Sequence, residues 1–287
     1  MDMNSTRDIQ NEQTARWNGA AGRAWVDAQD LLDRLFSPFE ELLVDAARAA
    51  SARSVLDVGC GTGSTTLAVA RALAGTGRSI GVDISEPMIT LARTRAAREQ
   101  IPAEFILADA QVYRFEPASV DMVMSRFGVM FFSDPVQAFS NLRRAARPGA
   151  ALQLIVWRSA AENSFMTTAE RAAASLLPNL PSRPSDGPGQ FAFADRDRVY
   201  AILHDSGWAG IDIQPLDVAC TLSEPDLLRY VTRLGPVGLV LQDADDDTRT
   251  RIAASIRGAY DSYVHGDQVH FTAACWMIRS VCPAGGA

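Results

Sequence analysis

The chain has 287 residues, 47% of them hydrophobic, enough to bury a sizeable core in one large α/β domain or two small ones. Its formal net charge of −7 disfavours nucleic acid as a partner, and no stretch has the continuous apolar length of a membrane span. All 27 basic residues are arginine, so no lysine is available as a base or Schiff-base former. The four cysteines, Cys60, Cys220, Cys275 and Cys282, form neither a C-x-x-C pair nor a metal-ligand spacing, which fits reduced thiols in a cytoplasmic enzyme without a metal. The polar stretch from Met1 to Gln13 lacks the apolar run of a signal peptide.

In chain order, residues 8–30 read as a broken helix, with Trp17 and Trp25 near one face. Ser37-Pro38-Phe39-Glu40 reads as the start of the next helix, with Ser37 as cap, Pro38 in the first turn and Glu40 at the reciprocal position. Phe39, Leu42, Leu43 and Ala46 supply its apolar stripe. From Ser54 strand and helix alternate. Strands are expected at 54–58, 79–83, 104–108, 120–125 and 151–157. Helices are expected at 64–73, after Ser85-Glu86-Pro87 and after Ser133-Asp134-Pro135, the last stopped by Arg147-Pro148-Gly149. Such alternation demands a parallel sheet with helices on both faces and places ligands at the carboxyl ends of the strands. Beyond Trp157 the pattern predicts a helix over 160–177, a proline-rich loop from Pro178 to Pro188 and a helix from Asp195 to Gly207. A strand near 211–219, a helical stretch over 224–264 with an acidic turn at Asp243–Asp247, and a final strand over 269–278 follow.

The segment Val55-Leu56-Asp57-Val58-Gly59-Cys60-Gly61-Thr62-Gly63 carries the most information. It is an apolar strand running into a glycine-rich turn, with a helix whose free N–H groups point back at a ligand. Gly59, Gly61 and Gly63 leave room for that ligand beside the backbone. Twenty residues on, Ile80-Gly81-Val82-Asp83 ends a second strand in a carboxylate placed for ribose hydroxyls. A nucleoside-containing cofactor follows from these two features. The spacing is G-x-G-x-G, not the G-x-G-x-x-G of dinucleotide turns, and a turn without lysine is not a P-loop.

With Leu107-Ala108-Asp109-Ala110 after the third strand and Ser125-Arg126-Phe127-Gly128-Val129-Met130-Phe131-Phe132 after the fourth, the chain resembles the class I S-adenosylmethionine (SAM) methyltransferases. The resemblance is to their bacterial type 11, or UbiE-like, small-molecule branch and is most specific over residues 53–158. It implies an α/β, Rossmann-like, seven-stranded, mostly parallel sheet with its last strand antiparallel, helices on both faces and a helical lid. Residues 1–50 would form an N-terminal lid, 51–158 the SAM-binding core, and 159–287 the remaining strands with lid helices at about 160–195 and 224–264, all in one compact domain. The glycines would lie under the methionine part of SAM, Asp57 would face its ammonium or hold the turn, and the Ser125 carbonyl would meet the ammonium. Asp83 would take the ribose and Ile84 the adenine face, while Asp109 and Ala110 would take the adenine edge. Trp17 and Trp25 would close over the cofactor or simply pack their helices.

Methyl transfer from a sulfonium needs alignment and exclusion of water more than a strong catalytic group. His204 looks solvated, and His265 and His270 are weak candidates for a base. Arg126 follows the fourth strand, where it would clamp an anionic group of the acceptor or pair with a lid carboxylate. Phe127, Met130, Phe131, Trp157 and Phe165 would wall that space. The expected activity is methyl transfer to oxygen, nitrogen or carbon of a small, partly apolar molecule. Alternatives are a cyclase or decarboxylase on the same fold, a nicotinamide oxidoreductase, or a SAM-binding interaction protein. Homodimerisation is left open.

Overall fold

Strand β1 (Ser54–Val58) is buried at every position, as a central strand covered on both faces must be. Its parallel neighbours are β2 (Arg78–Asp83) on one side and β4 (Val120–Arg126) on the other. Beyond them lie β3 (Ala103–Leu107) and β5 (Ala146–Trp157), also parallel. The computed structural model describes residues 3–181, 183 and 187–284. Residues 1–2 of the polar N-terminal segment, 182 and 184–186 of the proline-rich loop, and 285–287 lie outside the described residues. The sheet continues through β8 (Gln268–Val281) to β6 (Ala209–Ser223), giving the order β3-β2-β1-β4-β5-β8-β6. Strand β8 is antiparallel to both neighbours. The two-residue strand β7 (Val264–His265) pairs with β8 and makes an eighth strand that the sequence did not suggest.

The strand order reverses between β1 and β4. Helices α4 (Ser64–Ala72) and α5 (Glu86–Glu99) carry the chain outward towards β3, and α6 (Pro135–Ala145) carries it the other way to β5. Right-handed crossovers in opposite directions put these helices on opposite faces. A crevice therefore opens at the carboxyl ends of β1 and β4.

Three helices precede β1: α1 (Met3–Asn18), α2 (Ala20–Asp27) and α3 (Gln29–Ala49). The expected helix start at Ser37 is corrected, because α3 runs through Pro38. Proline cannot bond the carbonyl four residues back, that of Arg34, and the Ser37 hydroxyl donates to that same oxygen at 3.0 Å. An apolar stripe of Leu31, Leu35, Phe36, Phe39 and Leu43 crosses the proline and stays buried. Leu42 lies off it, 36% exposed. Glu40 is no capping residue; it accepts from the Ser64 hydroxyl at the start of α4.

After β5 come α7 (Ser164–Ala173) and α8 (Arg196–Asp205), and after β6 come α9 (Glu224–Arg233), α10 (Gly235–Leu241) and α11 (Asp246–Ala259). The acidic run at 243–247 begins α11. Asp245 caps it by accepting from Thr248 N at 2.8 Å, and Asp246 and Asp247 occupy its first turn, where the helix dipole favours negative charge. Helix α7 is fastened to the sheet by Asn163, whose buried amide exchanges two 2.9 Å hydrogen bonds with the Ala274 backbone on β8. No described helix is long and apolar enough to cross a membrane.

Candidate active site

The carboxyl ends of β1 to β5 open into one cavity of about 470 Å³, roofed by α1, α2 and the helices after β5. Its floor begins with the glycine turn, where three glycines serve three purposes. A Cβ on Gly59 would come within 2.5 Å of Gly128 Cα, so this glycine lets the turns after β1 and β4 touch. A Cβ on Gly63 would strike Ala92 and the Phe105 ring at 2.9 Å, so this one seats α4 against α5 and β3. Gly59 and Gly61 both line the cavity, and of the three glycines Gly61 alone would leave room for a Cβ, with Met88 Sδ at 3.6 Å as the sole near atom. A bound molecule therefore has a bare stretch of backbone at Gly61, and the expectation that Gly63 lines the site is corrected.

Asp83 ends β2 at the cavity edge. Its Oδ2 accepts from Gly61 N at 2.8 Å and its Oδ1 from Ser85 N at 2.9 Å. Burial raises its pKa, opposed by these backbone donors. Each oxygen keeps a lone pair for a ligand hydroxyl, with the carboxylate locked in place. Ile84, Asp109 and Ala110 line the same side. Asp109 Oδ1 accepts from Gln111 N at 2.8 Å, and its Oδ2 accepts from the Gln10 amide of α1.

Helix α1 turns into α2 at Gly19, and this corner is clasped to the β2–α5 loop. Asn18 donates to Ile84 O at 3.0 Å and accepts from Glu86 N at 2.8 Å; Ser85 donates to Trp17 O at 2.6 Å. Trp17 and Trp25 both line the cavity, edge to face with centroids 6.1 Å apart, and Trp17 meets Phe131 at 5.0 Å.

On the other side of the crevice stand Arg126, Phe127, Met130, Phe131 and Trp157. Phe127 stacks on Trp157 at 4.4 Å and 9°, with Phe36 against both rings. Phe127 has φ of 63°, unusual for a bulky residue, and this places its ring on Trp157 while Gly128 meets Gly59. The Arg126 guanidinium lies 5.8 Å over the Phe36 ring and donates to Phe36 O at 3.3 Å. Among the described residues it has no ion-pair partner within 4.0 Å, so no lid carboxylate neutralises it. Burial lowers its pKa; Glu40, Asp33 and Asp57 act against that from a distance.

Other expected site residues lie elsewhere. Asp57 does not line the cavity. It is 1% exposed, accepts from Thr66 Oγ1 at 2.6 Å, and burial raises its pKa to about 6. The Ser125 side chain is likewise beneath the floor, donating to Val58 O at 2.7 Å and accepting from Gly128 N at 3.1 Å. Both hold the turns in shape. The suggested bases are corrected: His265 and His270 are exposed on the β7–β8 hairpin, 5.6 Å apart, and do not line the cavity, and His204 is exposed beside Asp205. Phe165 is buried against Phe271 at 3.8 Å as core. The four cysteines are free and buried. Missed from the sequence were Gln10, Gln13 and Arg16, which with Trp17 form one face of α1, and the Arg183–Glu170 pair at the far wall. The three-residue spacing on α1 was a readable signal; the pair was not.

A doubly wound sheet with a ligand crevice at its order reversal, a bare glycine turn and a carboxylate ending the second strand defines an enzyme that holds a nucleosidic cofactor. A family model described as a methyltransferase domain matches residues 55–149. An uncharacterized 37.1 kDa protein in transposon Tn4556 of Streptomyces fradiae is 36% identical over 115 residues, 40% of this chain and 33% of that protein. The chain thus spans a third of that relative's length. The demethylmenaquinone methyltransferase of Renibacterium salmoninarum is 26% identical over 188 residues, 62% of this chain and 76% of that enzyme. The YcgJ protein of Bacillus subtilis shares the fold, with a TM-score of 0.56 at 18% identity over 86% of this chain and 98% of that one. Residues 55–149 thus match a methyltransferase domain, and the cofactor is S-adenosylmethionine.

Proposed function

We propose that the enzyme transfers the methyl group of SAM to oxygen, nitrogen or carbon of a small, partly apolar molecule, in the cytoplasm. The observation that carries this reading is a single cavity with two chemically distinct halves. Gly61, Asp83, Ile84, Asp109 and Ala110 offer bare backbone, fixed carboxylates and an apolar face, while Phe127, Met130, Phe131 and Trp157 offer an aromatic wall beside Arg126. The first half suits the adenosyl group and the second an acceptor.

When bound, SAM supplies a methyl group already activated by its sulfonium. The chain's residues then have to align two molecules and keep water out. Asp83 would hold the ribose hydroxyls, Asp109 and Ala110 the adenine edge, and Trp17 and Trp25 the roof. Asp57 and Ser125 would act from below by fixing the turns. Residues 1–50 and the helices within 160–195 and 224–264 would form a lid on the 51–158 core, the whole being one compact domain.

The test is calorimetric titration with SAM, S-adenosylhomocysteine (SAH) and NADH. Both adenosyl ligands should bind, NADH should not, and Asp83→Ala should weaken SAH by about 1–3 kcal/mol through loss of charge-assisted hydrogen bonds. Unchanged affinity in the variant would remove Asp83 from the site, and binding of NADH alone would overturn the methyltransferase reading.

A further inference from the structure

Resting on the reading just given, we propose that the acceptor is an apolar carboxylic acid, held by Arg126 and methylated on its carboxylate oxygen to a methyl ester.

Arg126 is the starting point. Its one hydrogen bond goes to Phe36 O, which leaves the rest of the guanidinium without an acceptor among the described residues. The acids that influence it from a distance are engaged elsewhere: Asp33 by Arg95 at 2.6 Å, Glu40 by Ser64 and Asp57 by Thr66. A planar, permanently charged fork facing an aromatic wall is suited to bidentate capture of a carboxylate, with the apolar remainder of the molecule against Phe127 and Trp157. Arg16 and Arg233 also line the cavity without an ion-pair partner among the described residues, so the charge on its walls favours an anion.

The second argument concerns protons. An alcohol, phenol or protonated amine must lose a proton to accept a methyl group. Among the described residues, the lining groups able to take one are committed. Asp83 holds two backbone N–H groups, Asp109 holds Gln10 and Gln111 N, and Glu170 is gripped by Arg183. The Tyr230 hydroxyl donates to Met166 Sδ at 3.1 Å and is pushed up to about 12 by burial. Tyr260 donates to Phe165 O at 2.9 Å. No histidine lines the cavity and the chain has no lysine. A carboxylate needs no base. A lone pair on its oxygen forms the O–CH3 bond, the C–S bond breaks, and its electron pair stays on sulfur as the neutral thioether. Carboxylate and sulfonium charges cancel and no proton moves, a change that a water-poor cavity favours. The ester has lost the charge that held it to Arg126, so product leaves more easily than substrate binds.

The experiment uses the full chain with methyl-tritiated SAM and decanoate, cinnamate and 2-naphthoate, each beside its matching alcohol. Label should pass to the acids and return as volatile methanol on alkaline hydrolysis. Arg126→Gln should lower turnover of the acids on the order of 100-fold and Arg126→Lys less, while SAH affinity stays within about threefold. SAH binding also reports that each variant is folded. The proposal is overturned if label goes to the alcohols in alkali-stable form, if a protein that binds SAH labels none of the acids, or if Arg126→Gln loses SAH along with turnover. The last result would assign the guanidinium to the cofactor's own carboxylate. Failure of the unmodified protein to bind SAM or SAH is a different result and sinks the methyltransferase reading instead.

Discussion

Gly59 and Gly61 stand two residues apart in one turn and should fail in different ways. Alanine at Gly59 would drive a methyl group into Gly128 Cα, where neither backbone can give way. Gly59→Ala should cost about 2–4 kcal/mol of stability, read by urea unfolding. Gly61→Ala meets only the end of Met88 and carries the strain of φ 55°, about 1 kcal/mol, but its methyl group opens on the cavity. It should unfold close to the parent and bind SAH much more weakly. Equal stability losses in the two variants would contradict the separate purposes argued for them. Asp57 makes a prediction about pH. Its pKa rises from about 3.9 in the unfolded chain to about 6 in the fold, chiefly through burial. The folded state thus holds the proton more tightly, so Asp57's contribution is fully present below about pH 4 and is lost as pH rises through 6. Asp57→Asn, which keeps an acceptor for Thr66, should gain about 2 kcal/mol relative to the parent between pH 4 and pH 7. Carboxylates with lowered pKa, such as Asp121 and Glu99, slope the other way in both proteins and cancel. A stability difference that stays constant with pH would show that the Asp57 carboxyl titrates alike in folded and unfolded chains.

Helices α1 and α2 depend on few strong contacts at their corner. Asn18 alone joins both the carbonyl of Ile84 and the N–H of Glu86. Asn18→Ala should leave the sheet intact and raise amide hydrogen exchange across residues 3–27, with SAH restoring protection. Exchange spreading equally into β1 and β4 would mean that the corner supports the whole fold instead. The sequence reading of this part was uneven for a definite reason. The break near Gly19 and the pairing of the tryptophans were visible. The continuity of α3 was not, because Pro38 is a strong stop signal, whereas the carbonyl that it leaves free is taken up within the same turn by Ser37 Oγ. Amphipathic continuity across the proline, Leu31 to Leu43, was the better guide.

The parallel half of the sheet was legible because strands covered on both faces must be short apolar runs, and turn residues punctuate them. The residues proposed to hold the cofactor could be singled out for the same reason: Gly61, Asp83 and Asp109 each follow such a run directly, and all three line the cavity. The roof was not legible, because it is assembled from residues far apart in sequence, and no local pattern reports that Arg183 meets Glu170 or that Gln10 crosses 99 positions to Asp109. That last contact bears on how a ligand enters. On the proposed placement of adenine at Asp109, the Gln10 amide occupies the carboxylate oxygen that the adenine amine would use, and the free protein would compete with its own cofactor. Binding there exchanges one hydrogen bond for another, and the net gain is the difference between them. Gln10→Ala should therefore bind SAH at least as tightly as the parent and faster in stopped-flow fluorescence, since nothing has to leave before the ligand arrives. Slower association would mean that Gln10 hands the ligand in rather than holding its place.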